Sequence, residues 1–203
     1  MSIEAAAEAV QAGFVVGMPT DTVYGIGVDP LNEKAVARLY EMKGRPKGKP
    51  FGLLVATVDQ AKEMGVIEGP AREIATLHWP GPLTLIVEPS VILPDWVGDY
   101  SRSTVGIRVP DHHVARELLT EVGPMAVTSA NRSGGAEVMN DIDAREIFGD
   151  EVAVYVEGTA PGGAASTIVD ATGAYLALLR EGPVEISSRY PPADDFDGPS
   201  GAD

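Results

Sequence analysis

TVGIRVPDHHVARELLTEVGPMAVT, residues 104–128, carries a strand, a helix and a second strand in one run. Thr104–Val109 is short, apolar and rich in β-branched residues, as a buried strand requires. Asp111 stands where an N-cap belongs, and Val114, Leu118, Leu119 and Val122 then recur at helical spacing across His112–Val122. Pro124–Thr128 reads as strand again. A helix with one apolar stripe, set between two buried strands, needs a sheet to pack on. This run therefore sets the class as α/β.

The alternation continues in both directions. Towards the N-terminus, Ser2 caps a helix over Ile3–Ala12 that Gly13 stops, and Phe14–Met18 is a buried strand running into turn-rich Pro19–Pro30. Asn32 caps Glu33–Met42, whose Ala35, Val36, Leu39 and Tyr40 share a face, and Gly44 sits at the helix C′ position. Phe51–Thr57 is a strand, helices follow near Gln60–Met64 and Ala71–His78, and Leu83–Val87 is a strand. Towards the C-terminus come the loop Ser129–Met139, a short helix near Ala144–Phe148, and strands Val152–Val156, Thr167–Asp170 and Tyr175–Leu179. The expected architecture is one mixed sheet covered by helices, in a single domain over residues 1–187. Residues 188–203 are rich in Pro, Gly and Asp and are expected to be a disordered acidic tail.

Composition narrows the chemistry. With no cysteine, disulfides and thiolate metal sites are excluded, and His78, His112 and His113 are too few and too poorly spaced for a histidine metal centre. No basic n-region opens the chain and no run of about 18 apolar residues occurs, so a cytoplasmic protein without a membrane span is expected. A net charge of −15 argues against a general nucleic-acid binder, because phosphate backbones reward excess Lys and Arg.

Against that acidity, six of the 15 cationic residues, Lys34, Arg38, Lys43, Arg45, Lys47 and Lys49, crowd into residues 34–49, opposed only by Glu41. Such a cluster suits a polyanion; a basic helix end complementing its dipole accounts for Lys43 alone. Gly44-Arg-Pro-Lys-Gly-Lys49 is not a P-loop, because three residues rather than four separate the glycines and Pro50 replaces the metal-binding hydroxyl. Gly25-Ile-Gly27 lacks the third glycine of a dinucleotide fingerprint. Thr20, Thr22 and Tyr24 alternate, so an extended chain turns all three to one side, either as a polar pocket or as a β-edge chosen for propensity. Ser129 and Asn131 leave a strand at i and i+2, as oxyanion donors or as an ordinary turn.

Together, Pro19-Thr-Asp-Thr-Val-Tyr-Gly25, Lys43-Gly-Arg-Pro46, Trp79-Pro-Gly-Pro-Leu-Thr84, Val105-Gly-Ile-Arg-Val-Pro110, Thr128-Ser-Ala-Asn131, Ser166-Thr-Ile-Val-Asp170 and Leu179-Arg-Glu-Gly182 resemble, in order, the YrdC/Sua5 family of threonylcarbamoyl-adenylate synthases. The resemblance implies a single twisted sheet with a concave, positively charged face. It also implies synthesis of L-threonylcarbamoyl-adenylate from L-threonine, bicarbonate and ATP, with Mg²⁺ on the triphosphate and pyrophosphate released. The product would pass to tRNA threonylcarbamoyl-transferase proteins for modification of tRNA adenosine-37.

On this resemblance Lys43, Arg45, Ser129 and Asn131 are the catalytic and nucleotide-binding set, joined on the nucleotide side by Ser166 and Arg180. Thr20, Thr22, Tyr24 and Arg108 form the threonine pocket, and no protein side chain is assigned to the metal. A double-stranded-RNA-binding module and a carbamoyl-adenylating enzyme are the alternatives. Two features depart from the pattern. Many members carry a histidine after the strand that follows Lys-x-Arg, where Phe51-Gly-Leu-Leu-Val-Ala56 has none. Longer members continue into a second domain, so the chain is expected to be the short form.

Overall fold

The computed structural model describes residues 2–46 and 49–186. Lys47 of the cationic run and the expected tail at 188–203 lie outside the described residues.

Nine strands form one mixed sheet: β1 Val16–Met18, β2 Gly25–Val28, β3 Gly52–Leu54, β4 Leu83–Val87, β5 Val105–Arg108, β6 Met125–Ser129, β7 Val154–Tyr155, β8 Thr167–Asp170 and β9 Ala177–Arg180. Their spatial order is β7-β1-β2-β6-β3-β5-β4-β8-β9. Six α-helices occur among the described residues: α1 Ile3–Gln11, α2 Glu33–Lys43, α3 Val58–Met64, α4 Gly69–His78, α5 His113–Val122 and α6 Asp141–Phe148. None is long and apolar enough to cross a membrane.

Local chemistry explains most boundaries. Ser2, Asn32, Thr57 and Asn140 each accept a hydrogen bond from a first-turn N–H, capping α1, α2, α3 and α6. Gly44 ends α2 in the left-handed conformation at φ +60°, which a glycine adopts without strain. Two expectations change. His112, not Asp111, occupies the N-cap of α5, and no side chain caps that helix. The stretch expected to be turn as far as Pro30 contains β2, which pairs antiparallel with both β1 and β6. Its two glycines hide it from propensity, and the contacts show why they are there. A Cβ on Gly25 or Gly27 would stand 3.0 or 2.8 Å from a Val127 methyl.

The sheet has two unlike faces. Along β4, Leu83, Leu85 and Val87 are buried in the main core while Thr84 and Ile86 on the other face are half-exposed. Residues from α2, α3, α4 and α6 close the main core. On the other face, α1 and α5 cover Val16, Met18, Leu54, Met125 and Val154 in a second cluster. Beyond that cover, on β3, β5, β4 and β8, the same face presents Gly52, Gly106, Arg108, Thr84, Ile86 and Ile168 to a cavity of about 230 Å³. The half of a face that no helix covers is where the site forms.

Candidate active site

One end of the cavity is built around Arg108 at the end of β5. Its side chain is buried, and Nε donates to Gly81 O (3.1 Å), Nη1 to Thr22 Oγ1 (2.9 Å) and Nη2 to Asp21 Oδ1. Burial lowers its pKa and the Asp21 carboxylate opposes that shift. Arg108 has five N–H donors and these bonds use three, so two remain for a ligand carboxylate. Thr20 Oγ1 donates to Val23 O (2.7 Å) and lies 3.1 Å from Thr22 Oγ1, which fixes the turn entering β2. Thr20, Thr22 and Arg108 all line the cavity.

The other end holds two more arginines. Arg45, just past the C-terminus of α2, bonds through Nε to Lys49 O (2.8 Å) and through Nη2 to Pro50 O (3.0 Å), with its guanidinium 5.1 Å from the Phe51 ring. Arg180, on β9, bonds through Nε and Nη2 to Ser166 O at 3.0 and 2.7 Å, and Nη2 reaches Ser166 Oγ (3.1 Å). Ser166 Oγ in turn lies 2.8 Å from Thr84 Oγ1. Ser129 also lines the cavity, and Glu137 is the one carboxylate among the lining residues. Three arginines and a row of hydroxyls around one carboxylate form an anion-binding site.

Lys43 and Asn131 stand behind this wall. Lys43 Nζ donates to Ser129 O (2.8 Å), to Asn131 O and to Asn131 Oδ1 (2.8 Å), and Ser129 Oγ donates to Asn131 Oδ1 (2.7 Å). All three ammonium protons are committed, so a neutral amine would leave an acceptor unmatched. Burial first, then the adjacent Arg45, pushes the Lys43 pKa down to about 8. Affinity for a phosphate probe such as ATP should therefore hold below about pH 8 and weaken above it as the charge behind Ser129 is lost. A calorimetric pH series tests this, and an affinity flat through pH 9 would exclude Lys43 as the titrating group.

A family model described as "Telomere recombination", covering the Sua5, YciO and YrdC proteins, matches residues 8–182. The chain belongs to the Sua5/YciO/YrdC family. A Mycobacterium tuberculosis protein named as a candidate threonylcarbamoyl-AMP synthase is 47% identical over 90% of this chain and 84% of its own. The Pyrococcus abyssi threonylcarbamoyl-AMP synthase is 34% identical over 89% of this chain and 54% of its own. The solved P. abyssi Sua5 complexed with L-threonine superimposes with a TM-score of 0.81 and 35% identity, over 88% of this chain and 53% of that one. The chain thus spans little more than half the length of the P. abyssi proteins.

Of the residues the family resemblance singles out, Thr20, Thr22, Arg45, Arg108, Ser129, Ser166 and Arg180 meet at the cavity. Lys43 and Asn131 act on it from behind. Tyr24 does not reach it. The chain turns between Thr22 and β2 rather than staying extended, so the ring enters the main core and its hydroxyl donates to Val156 O (2.7 Å). Burial, with Asp141 nearby, raises its pKa and keeps the phenol a donor. Tyr24→Phe should cost about 1 kcal/mol in urea unfolding and leave the threonine KM unchanged. A raised threonine KM would return Tyr24 to the pocket.

The cationic run also divides. Lys34 and Arg38 are exposed on α2, with Arg38 Nη2 donating to Glu151 O (3.3 Å), and Lys49 is exposed. Among the described members of the run only Arg45 lines the cavity. Leu54 lines it within the stretch that lacks the family histidine. Asp21, Thr84, Glu137, Gly52 and Gly106 are site residues that side-chain chemistry in the sequence did not single out. Asp21, Thr84 and Gly106 fall inside quoted motifs, which was the available signal.

Proposed function

We propose that the chain is a threonylcarbamoyl-AMP synthase, making L-threonylcarbamoyl-adenylate from L-threonine, bicarbonate and ATP. The observation that carries this reading is one cavity joining an amino-acid-sized corner, formed by Arg108 with Thr20 and Thr22, to a phosphate end formed by Arg45, Arg180, Ser129 and Ser166. The names of the relatives and the threonine-bound P. abyssi structure support it.

The threonine carboxylate meets the two free N–H groups of Arg108, which leaves the amine directed along the cavity. That amine attacks CO₂ released from bicarbonate, gives up a proton and becomes a carbamate. A carbamate oxygen then attacks the α-phosphorus of ATP, forming the mixed anhydride and expelling pyrophosphate. The carbamate is short-lived in water, so holding it beside the nucleotide supplies most of the advantage. Arg45 and Arg180 stabilise the charge gathering on the phosphates, and the Ser129 and Ser166 hydroxyls donate to their oxygens.

Mg²⁺ would arrive with the triphosphate. No group of three His, Cys, Asp or Glu side chains suited to a metal occurs among the described residues, and Glu137 alone brings a carboxylate to the cavity. That donor set fits a cation holding mostly phosphate oxygens and water. Bound so, it neutralises phosphate charge. The enzyme would work in the cytoplasm and hand its product to a tRNA threonylcarbamoyl-transferase.

Incubation with ATP, bicarbonate and single amino acids, with pyrophosphate as the readout, is the test. Release that requires both threonine and bicarbonate is the expected result. Release supported by carbamoyl phosphate in place of both would assign the chain to carbamoyl adenylation instead.

A further inference from the structure

The middle of the cavity floor is bare backbone. Across neighbouring strands, Val127 on β6 pairs with Gly52 on β3, Gly52 lies beside Gly106 on β5, and Gly106 pairs with Ile86 on β4. Val127 and Ile86 therefore wall a strip in which two adjacent positions carry no side chain. On the same face, one step along each strand, Leu54 and Arg108 close one end, and Pro50 flanks Gly52 at the other. All seven residues line the cavity.

The fold itself does not demand glycine at 52. Gly52 lacks a positive φ. A Cβ built there would meet nothing closer than Gly106 O at 3.7 Å, an ordinary van der Waals contact. Gly25 and Gly27 differ, since their Cβ atoms would collide with Val127. At Gly106 a Cβ would stand 3.1 Å from Ile86 Cδ1, the mobile end of a side chain. Glycine in a strand leaves no side chain to pack, and one use of it is to let a ligand or another backbone approach closely. Among the described residues no group makes that approach at Gly52, and its open side is the cavity.

We infer that Gly52 and Gly106 form a flat peptide shelf that seats the planar base of a nucleotide, and that Gly52 is the residue that keeps it open. This rests on the proposed use of ATP. A ring lying between Val127 and Ile86 contacts two bare Cα positions and their peptide planes, a surface that any side chain would interrupt. The phosphates then extend towards Arg45 and Arg180, while the Arg108 corner stays free for the amino acid. Gly52 is in this sense a specificity-determining residue: it admits a flat ring where a β-branched residue would otherwise be favoured.

Gly52→Ala tests the shelf, with ATP and inorganic tripolyphosphate as calorimetric probes and thermal unfolding as the control. The melting temperature should be unchanged or higher. ATP should bind about ten-fold more weakly, ~1.4 kcal/mol, while tripolyphosphate affinity and the threonine KM stay within about two-fold of wild type, under ~0.5 kcal/mol. Gly106→Ala, which narrows the same strip from the next strand, should act in the same direction. ATP affinity within two-fold of wild type, an equal loss for ATP and tripolyphosphate, or an effect confined to threonine would each overturn the shelf. A wild-type protein that binds ATP through the shelf but releases no pyrophosphate with threonine and bicarbonate would overturn the synthase reading alone.

Discussion

Arg45→Ala is expected to lower kcat/KM for ATP by about 10²–10³, or ~3–4 kcal/mol of transition-state stabilisation. The guanidinium is held, not free. Two of its bonds go to the carbonyls of Lys49 and Pro50, and its plane lies over Phe51, so its remaining donors face the phosphate end already oriented. Burial lowers its pKa only from a very high value, so the group stays charged at neutral pH. Arg45→Lys keeps the charge and loses the planar fork, and should recover only part of the rate. Steady-state pyrophosphate release measures both variants. An Arg45→Ala enzyme turning over at the wild-type rate would remove this residue from the chemistry.

The second large effect falls on stability. Asp21→Ala should destabilise the fold by about 3–5 kcal/mol, because it strands the Arg108 guanidinium in a buried position. Side-chain exposures of 7% for Arg108 and 10% for Asp21 leave little water to screen the loss. Asp21 Oδ2 has no hydrogen-bond partner among the described residues, so the bond to Arg108 is the principal reward for burying that carboxylate. Pairing Asp21→Leu with Arg108→Met removes both charges and should be less damaging than Asp21→Ala, although on the proposed function it is expected to abolish threonine binding. Urea unfolding of the two variants beside wild type reads the ordering. Single and double variants of equal stability would mean that the ion pair does not hold this corner.

Most helices were legible because their signals are local. The caps at Ser2 and Asn32, the glycine at 44 and the apolar spacing of α5 act within a few residues, and the structure places them as expected. The strands β4 and β8 match the expected Leu83–Val87 and Thr167–Asp170 at both ends, since continuous apolar or β-branched runs bounded by turns have few other uses. β2 was not legible. Gly25-Ile-Gly-Val28 has poor strand propensity, and only the close approach of Val127 from β6 explains its glycines.

The site divides along the same line. Residue type singled out Arg45 and Ser129, because cations and hydroxyls are chemically conspicuous in an acidic chain, whereas Arg108, Ser166 and Arg180 came only from the order of the family motifs; all five line the cavity. Alternation misplaced Tyr24, whose direction depends on a turn that the Thr20 and Thr22 hydroxyls stabilise. Proximity in the chain also misled for Lys34, Arg38 and Lys43, which share one helix yet point outward, outward and inward.

The α/β class, most helix ends and the family motifs were set by short-range chemistry in residues 2–186, where propensity, capping and apolar period act between near neighbours. Tertiary structure decided which part of their sheet face α1 and α5 leave uncovered. It therefore decided which side chains become a site. That choice depends on pairings between residues far apart in the chain: Gly52 beside Gly106, Asp21 on Arg108, Ser166 against Thr84 and Arg180. Such contacts leave no periodic trace in a single sequence, since each partner has a role only once the sheet has brought the other to it.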